Sequence, residues 1–420
     1  MREMKDSRLK WIGEIPSSWN VMPNKYLMKK KKVICPVYTG EDILSLTMKG
    51  VIVRDLDAGG KMPTSFDGYQ RLEPGNLLMC LFDIDVTPRC IGLIKQAGLS
   101  SPAYSQFELN GMGNAEYYCY YYTMLDNDKT LLHLAKNLRH SLTEDQLGAI
   151  SVIVPPVQEQ KKIADFLDAK CSEIDALSAD IQTQIDILEQ YKRSVITEAV
   201  TRGLNPDVEM KDSGTPWCPL IPIHWKYANP KALFTQRLDR AYPGDKQLTA
   251  SQEYGVIYQD EYMELTGTKI VTVMKDFSIL KHVEPNDFVI SMRSFQGGLE
   301  YSERRGSISS AYVMLIPNNE YVYPPFYRWF FKSSKYINAI QSTSNLVRDG
   351  QAMRYANFAQ VPLFIIPLDE QKQISEYLDE KVRKIDEILK SKNNQLEILA
   401  EYKKSLIYEY VTGKKEVPSI

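Results

Sequence analysis

Few residues in this chain stand at spacings that could do chemistry, and each such group fails on its own terms. Tyr323-Pro324-Pro325-Phe326 has the outline of a loop that holds an exocyclic amine for methyl transfer. That chemistry needs a small polar side chain first, to accept a hydrogen bond from the amine, and Tyr323 cannot take that role. No glycine-rich strand–turn–helix loop precedes it, so the two prolines read as the start of a helix. Pro206-Asp207-Val208-Glu209-Met210-Lys211 has the letters of a metal-dependent nuclease. Such a site sets its Asp and its Glu-x-Lys on adjacent strands so that both carboxylates grip one ion, whereas here they follow one another in a linker. The four histidines (His133, His140, His224, His282) have no ligand spacing, and the six cysteines form no Cys-x-x-Cys pair. The sequence therefore predicts no catalytic residue and no metal site. Its scattered thiols suit a reducing cytoplasm.

What remains is recognition chemistry. Lys49, Arg54, Gln70 and Arg89 in the first half, and Arg237, Arg240, Gln252, Arg293, Arg304 and Arg305 in the second, are side chains of the kind that read base edges in the major groove. The cations among them also meet phosphates. Any one alone is an ordinary surface charge; the group gains meaning because it sits where the two halves of the chain differ. With 51 Lys and Arg against 53 Asp and Glu, the net charge is −2. This is no polybasic coat, and a partner is expected to complete any grip on phosphate.

The elements that must carry these residues are written twice. Met4-Lys5-Asp6-Ser7 recurs as Met210-Lys211-Asp212-Ser213, and Trp11, Ile15, Pro16 and Trp19 recur as Trp217, Ile221, Pro222 and Trp225. From Pro156 the repeat locks at an offset of 211: Glu159-Gln160-Lys161, Leu167-Asp168 and Tyr191-Lys192 return as Glu370-Gln371-Lys372, Leu378-Asp379 and Tyr402-Lys403. About 150 residues match only at anchors; the following 45 or so match closely. Two variable domains are each followed by a constant segment.

The constant segments read as long amphipathic helices. Leu167, Ile174, Ile181, Leu188 and Val195 fall seven apart, with Leu177, Ile185 and Tyr191 widening the stripe; Leu378, Ile385, Leu399 and Leu406 form the second seam, interrupted at Lys392. Pro156 suits a helix start and Gly203 a stop. Each wet stripe needs a partner, and the other copy is the obvious one. The variable domains show short β-leaning runs, such as Val51-Ile52-Val53, Leu77 to Leu81, Ile91 to Ile94, Phe288 to Ile290 and Tyr312 to Ile316, then a helix-like stretch (Lys129 to Arg139; Phe326 to Ile340). The expected fold is α+β: two tandem pseudo-symmetric domains of mixed sheet plus helices, joined by two long helices in an antiparallel coiled coil. The segments are 1–155, 156–203, 204–366, 367–413 and a tail, 414–420. No apolar run is long enough to cross a bilayer, and Met1-Arg2-Glu3-Met4-Lys5-Asp6 does not open as a signal peptide.

At Trp11-Ile12-Gly13-Glu14-Ile15-Pro16-Ser17-Ser18-Trp19, Gly203-Leu204-Asn205-Pro206-Asp207, and the twin runs Pro156-Val157-Gln158-Glu159-Gln160 and Pro367-Leu368-Asp369-Glu370-Gln371, the chain resembles the specificity subunits of type I restriction–modification systems. The likeness spans essentially the whole chain, departing at Trp217-Cys218-Pro219, where the family has Trp-Ile-Gly. The resemblance implies two target recognition domains, each reading half of a split site in double-stranded DNA, and a helix pair that spaces them. It implies two modification subunits, which methylate adenine N6 with S-adenosylmethionine, and two restriction subunits using ATP and Mg²⁺. This chain would be cytoplasmic, catalytically silent and without a cofactor of its own. An autonomous DNA methyltransferase or nuclease, and a coiled-coil scaffold that does not bind DNA, are the alternatives.

Overall fold

The computed structural model describes residues 2–58, 63–87, 89–135, 140–270, 272, 277–343 and 353–418. The end of the expected helix, 136–139, lies outside them. The chain divides into two compact units, Met1–Gln182 with Asn394–Ile420, and Thr183–Asn393. Each unit thus holds one variable domain, the first half of the long helix that follows it, and the second half of the other long helix.

The first unit is built on a four-stranded sheet in the order Met28–Lys31, Ser105–Leu109, Leu77–Met79, Ile91–Leu93. Its ladders are all antiparallel, with Leu77 opposite Phe107 and Met79 opposite Ile91. A hairpin, Leu44–Thr47 with Gly50–Val53, leans on this sheet. Helix Ala115–Asn127 covers it and buries Tyr117, Tyr118, Tyr121 and Tyr122. A buried phenol needs an acceptor. Tyr118 donates to the Ile153 carbonyl at 2.9 Å, Tyr117 to that of Val411 at 2.8 Å and Tyr122 to Asn24 Oδ1 at 2.5 Å. The helix expected at Lys129 to Arg139 is observed at Thr130–Leu134, and the longer helix Ala115–Asn127 was not expected. Tyrosine-rich stretches lean towards strand, but Asn114 caps this one, its side chain accepting from Tyr117 N at 2.8 Å.

The second unit repeats the plan with other side chains. Its sheet runs Phe234–Arg237, Val313–Pro317, Phe288–Ile290, Glu300–Tyr301, again antiparallel. The hairpin is Leu248–Ser251 with Gly255–Tyr258. Pro324–Phe330 takes the covering position, and Tyr327 donates to Phe364 O at 3.1 Å as Tyr118 does to Ile153. The Pro-Pro pair opens this helix, with Tyr323 as its cap residue.

The long helices are Val157–Arg202 and Leu368–Val411. Gly203 and Gly413, at φ +76° and +71°, end them in the left-handed conformation that glycine adopts without strain. In the first unit the helix segments run antiparallel: Phe166 meets Tyr410 at 4.5 Å between ring centres, and Asp175 meets Lys403 at 2.6 Å. In the second, Lys192 meets Asp386 at 2.5 Å. These two ion pairs are one interaction made twice, once within each unit, with the copies exchanged. Leu167, Ile174, Ile181, Ile185, Leu378, Ile385 and Leu406 are buried, while Leu188, Val195 and Leu399 are half-buried. Leu177 and Tyr191 do not widen the seam; they are 49% and 46% exposed. Alternation of three and four residues instead brings Ser178 and Lys192 inward. A polar residue at the right phase outranks an apolar one a residue away.

Candidate nucleic-acid interface

Each variable domain is held to its helix by the same six-residue device. At the start of the first long helix, Gln160 is fully buried. Its Nε2 donates to the carbonyls of Pro155 and Met112, both at 2.8 Å, and its Oε1 accepts from Asn114 N at 2.7 Å. Gln371 repeats this with Ile366 O and Tyr321 O at 2.8 Å and Tyr323 N at 2.8 Å. Beside them, Trp19 Nε1 donates to Glu159 at 2.9 Å and Trp225 Nε1 to Glu370 at 3.0 Å. The Glu-Gln pair and the second Trp of the arm are thus repeated for one reason: they fix sheet, arm and helix together. Arg2 adds a charge to Glu159 at 2.5 Å, where the second unit has His224 on Glu370 at 2.8 Å.

Against this common frame, the ten candidate readers separate. Three spend their polar atoms inside. Gln70 is fully buried and donates to Ser101 O and Tyr104 O at 2.9 and 2.8 Å. Arg89 binds Asn127 Oδ1 at 3.2 Å and approaches Asp126 at 3.8 Å. Arg237 forks onto both oxygens of Asp287 at 2.6 and 3.0 Å and meets Asp239 at 2.9 Å. Burial pushes the Asp287 carboxyl up and the Arg237 hydrogen bonds oppose it; with both carboxylate oxygens engaged, the charged pair prevails at neutral pH. As folded, these three hold the sheet and do not reach a groove.

The others lie at the surface. Arg304 pairs with Glu261 at 3.1 Å and lies over the Tyr258 ring; Arg305 approaches Glu284 at 3.5 Å and covers Tyr242. Arg240 donates to Ile279 O at 3.1 Å. Arg54 is half-buried at the end of the first hairpin, its backbone N donating to Ile43 O at 2.7 Å. Lys49 is exposed in the turn of that hairpin, and Gln252 in the matching turn of the second. Arg293 is exposed on the turn after strand Phe288–Ile290. The structure therefore gathers Gln252 and Arg293, whose contact is a hydrogen bond from Gln252 Nε2 to Arg293 O at 3.1 Å.

Comparison with known proteins agrees with this twofold plan. The type I restriction–modification DNA specificity domain matches residues 103–186, the end of the first variable domain and the first half of its helix. A type I restriction enzyme MjaX specificity subunit of Methanocaldococcus jannaschii is 23% identical over 66% of this chain and 62% of its own length. The EcoBI specificity subunit of Escherichia coli is 22% identical over 62% and 57%. The chain thus spans less than two thirds of the length of these relatives. A chain from a structure on assembly and conformational transition of the type I system superposes with a TM-score of 0.68, covering 96% of this chain and 99% of that one at 12% identity. The chain is similar to the specificity subunits of type I restriction–modification systems. The HsdS subunit from Thermoanaerobacter tengcongensis shares the fold, with a TM-score of 0.50 over 96% of this chain and 98% of its own at 12% identity.

Two features escaped sequence reasoning. One is that the hairpin tip touches the turn after the central strand, a long-range contact with no local signal. The other is a duplicated apolar face. The first unit exposes Leu177, Ile398 and Tyr402; the second exposes their repeat equivalents Ile388, Ile187 and Tyr191. The offset of 211 would have found it, had the helices' outward positions been compared as well as their seams. No helix among the described residues is long and apolar enough to cross a membrane.

Proposed function

We propose that this chain is the DNA-reading subunit of a type I restriction–modification complex and contributes no catalytic group of its own. Each recognition domain reads one half of a bipartite site in double-stranded DNA. The observation that carries this is the contrast within the repeat: one sheet order and one glutamine device in both units, with different side chains on the hairpin tips and strand-end turns. A scaffold kept constant beneath variable loops is what two readers of different half-sites require.

The duplicated trio of exposed apolar side chains supports two copies of one partner, one on each unit, since closely matching surfaces suit copies of one protein. We assign them to two modification subunits, which bring S-adenosylmethionine and methylate adenine N6. A base must leave the stack to be methylated, and those subunits would complete the phosphate grip that a chain of net charge −2 lacks. Two restriction subunits with ATP and Mg²⁺ complete the cytoplasmic assembly. Co-expression with the modification subunit in a host free of adenine methylation, followed by mapping of N6-methyladenine, tests the reading. One bipartite sequence with an unspecified gap is expected. Methylation at continuous sites, or by this chain alone, overturns it.

A further inference from the structure

We infer that Arg293 reads a guanine in the major groove for the second unit, an assignment that rests on the DNA-reading function proposed above. Arg89, Arg237, Arg240, Arg304 and Arg305 each have a protein partner for the guanidinium. Arg293 is exposed, and among the described residues its guanidinium has no hydrogen bond or ion pair.

Its root, by contrast, is fixed. The Arg293 carbonyl accepts from Gln296 N at 2.9 Å, Gly297 N at 3.2 Å and Gln252 Nε2 at 3.1 Å. Its own N–H donates to Ser291 Oγ at 3.2 Å, and Ser291 N donates to Ser294 Oγ at 2.8 Å. Phe295 is buried beneath the turn. Two glycines make the close packing feasible: a Cβ on Gly297 would lie 2.5 Å from Gln252, and one on Gly298, at φ +79°, would lie 2.0 Å from Phe331 O. A rigid platform with a free fork is a preorganised reader, because little backbone freedom remains to be lost on binding. The planar guanidinium matches O6 and N7 of guanine with two parallel hydrogen bonds.

The same place in the first unit carries different chemistry. The third residue past central strand Leu77–Met79 is Phe82, which is partly exposed and stacks on Tyr104 with ring centres 6.1 Å apart. An aromatic there suits a thymine methyl, not a guanine edge. The two units thus differ at one structurally equivalent position in the way that unlike half-sites demand.

The test uses the complete complex with its modification subunit, carrying R293A or R293K, with genomic N6-methyladenine mapped for each and for the unaltered protein. The unaltered complex should modify a bipartite sequence with guanine in one half-site. R293A should relax one guanine in that half-site by roughly tenfold or more and leave the other half-site unchanged. R293K, which keeps the charge but loses the fork, should relax the same position. An unchanged sequence preference, or a uniform drop in modification without change of preference, overturns the assignment; the latter is a phosphate contact. If R293A abolishes modification, binding of the purified complex to duplexes altered at each guanine decides. Loss of discrimination at one guanine supports the assignment, and equal weakening on every duplex overturns it. Failure of the unaltered complex to modify any bipartite sequence would instead remove the function on which the assignment rests.

Discussion

Replacing Gln160 by Met keeps the side chain's length and removes its hydrogen-bonding capacity, so it isolates what the buried glutamine device contributes. Three main-chain groups lose their partner: the carbonyls of Pro155 and Met112 and the amide of Asn114. A buried polar group left unsatisfied costs about 1–3 kcal/mol. The Pro155 bond is buried, while those to Met112 and Asn114 are part-buried and regain some solvation, so they fall at the low end of that range. The expected total is about 3–4 kcal/mol, felt in the first unit. Gln371→Met should cost the second unit a similar amount, because its three bonds have the same lengths to within 0.1 Å. Urea unfolding followed by tryptophan fluorescence gives the magnitude, and hydrogen exchange with mass spectrometry locates it. The peptides around Met112–Asn114 and Pro155 should lose protection in Gln160→Met while those around Tyr321–Tyr323 keep theirs. A loss under about 1 kcal/mol, or protection lost equally in both units, refutes the reasoning.

Three further outcomes are expected. Ile187→Asp with Ile398→Asp, at positions 58% and 64% exposed, should leave the melting temperature nearly unchanged and weaken association with the modification subunit at least about tenfold in sedimentation; undiminished association removes these residues from the docking surface. Arg237→Met strands the buried Asp287 carboxylate and should cost about 3 kcal/mol in urea unfolding, most of it recovered when Asp287→Leu is added; equal losses in the single and double variants contradict this. Glu41 accepts from Thr39 N at 2.9 Å and faces Arg71 at 3.1 Å, and chiefly the Thr39 hydrogen bond lowers its carboxyl to about 2. A folded value below the unfolded one stabilises the fold above the ordinary 4.5 and loses that contribution as the pH falls through about 2. A carbon-13 titration should therefore place the Glu41 midpoint near 2, and a midpoint at the ordinary value would rule out that hydrogen bond in solution.

Much of this protein was legible before any coordinates. The helices Val157–Arg202 and Leu368–Val411 begin beside Pro156 and Pro367 and stop at Gly203 and Gly413, because local sterics set helix ends and the repeat announces them twice. The strands Leu77–Met79, Ile91–Leu93 and Phe288–Ile290 were equally plain as apolar runs between turns. Tertiary structure decided the rest. Leu177 and Ser178 differ by one residue, and only the partner helix determines which of them faces inward. Ala115–Asn127 is a helix because a sheet covers its tyrosines and distant carbonyls accept their hydroxyls, which no local window contains. The same holds for the readers. Arg237 and Arg293 look alike as letters, but one is consumed by an aspartate fifty residues away and the other, among the described residues, stands free on a braced turn. Local sequence sets the conformation of neighbours in the chain; whether a charge is spent or available depends on groups brought together only by folding.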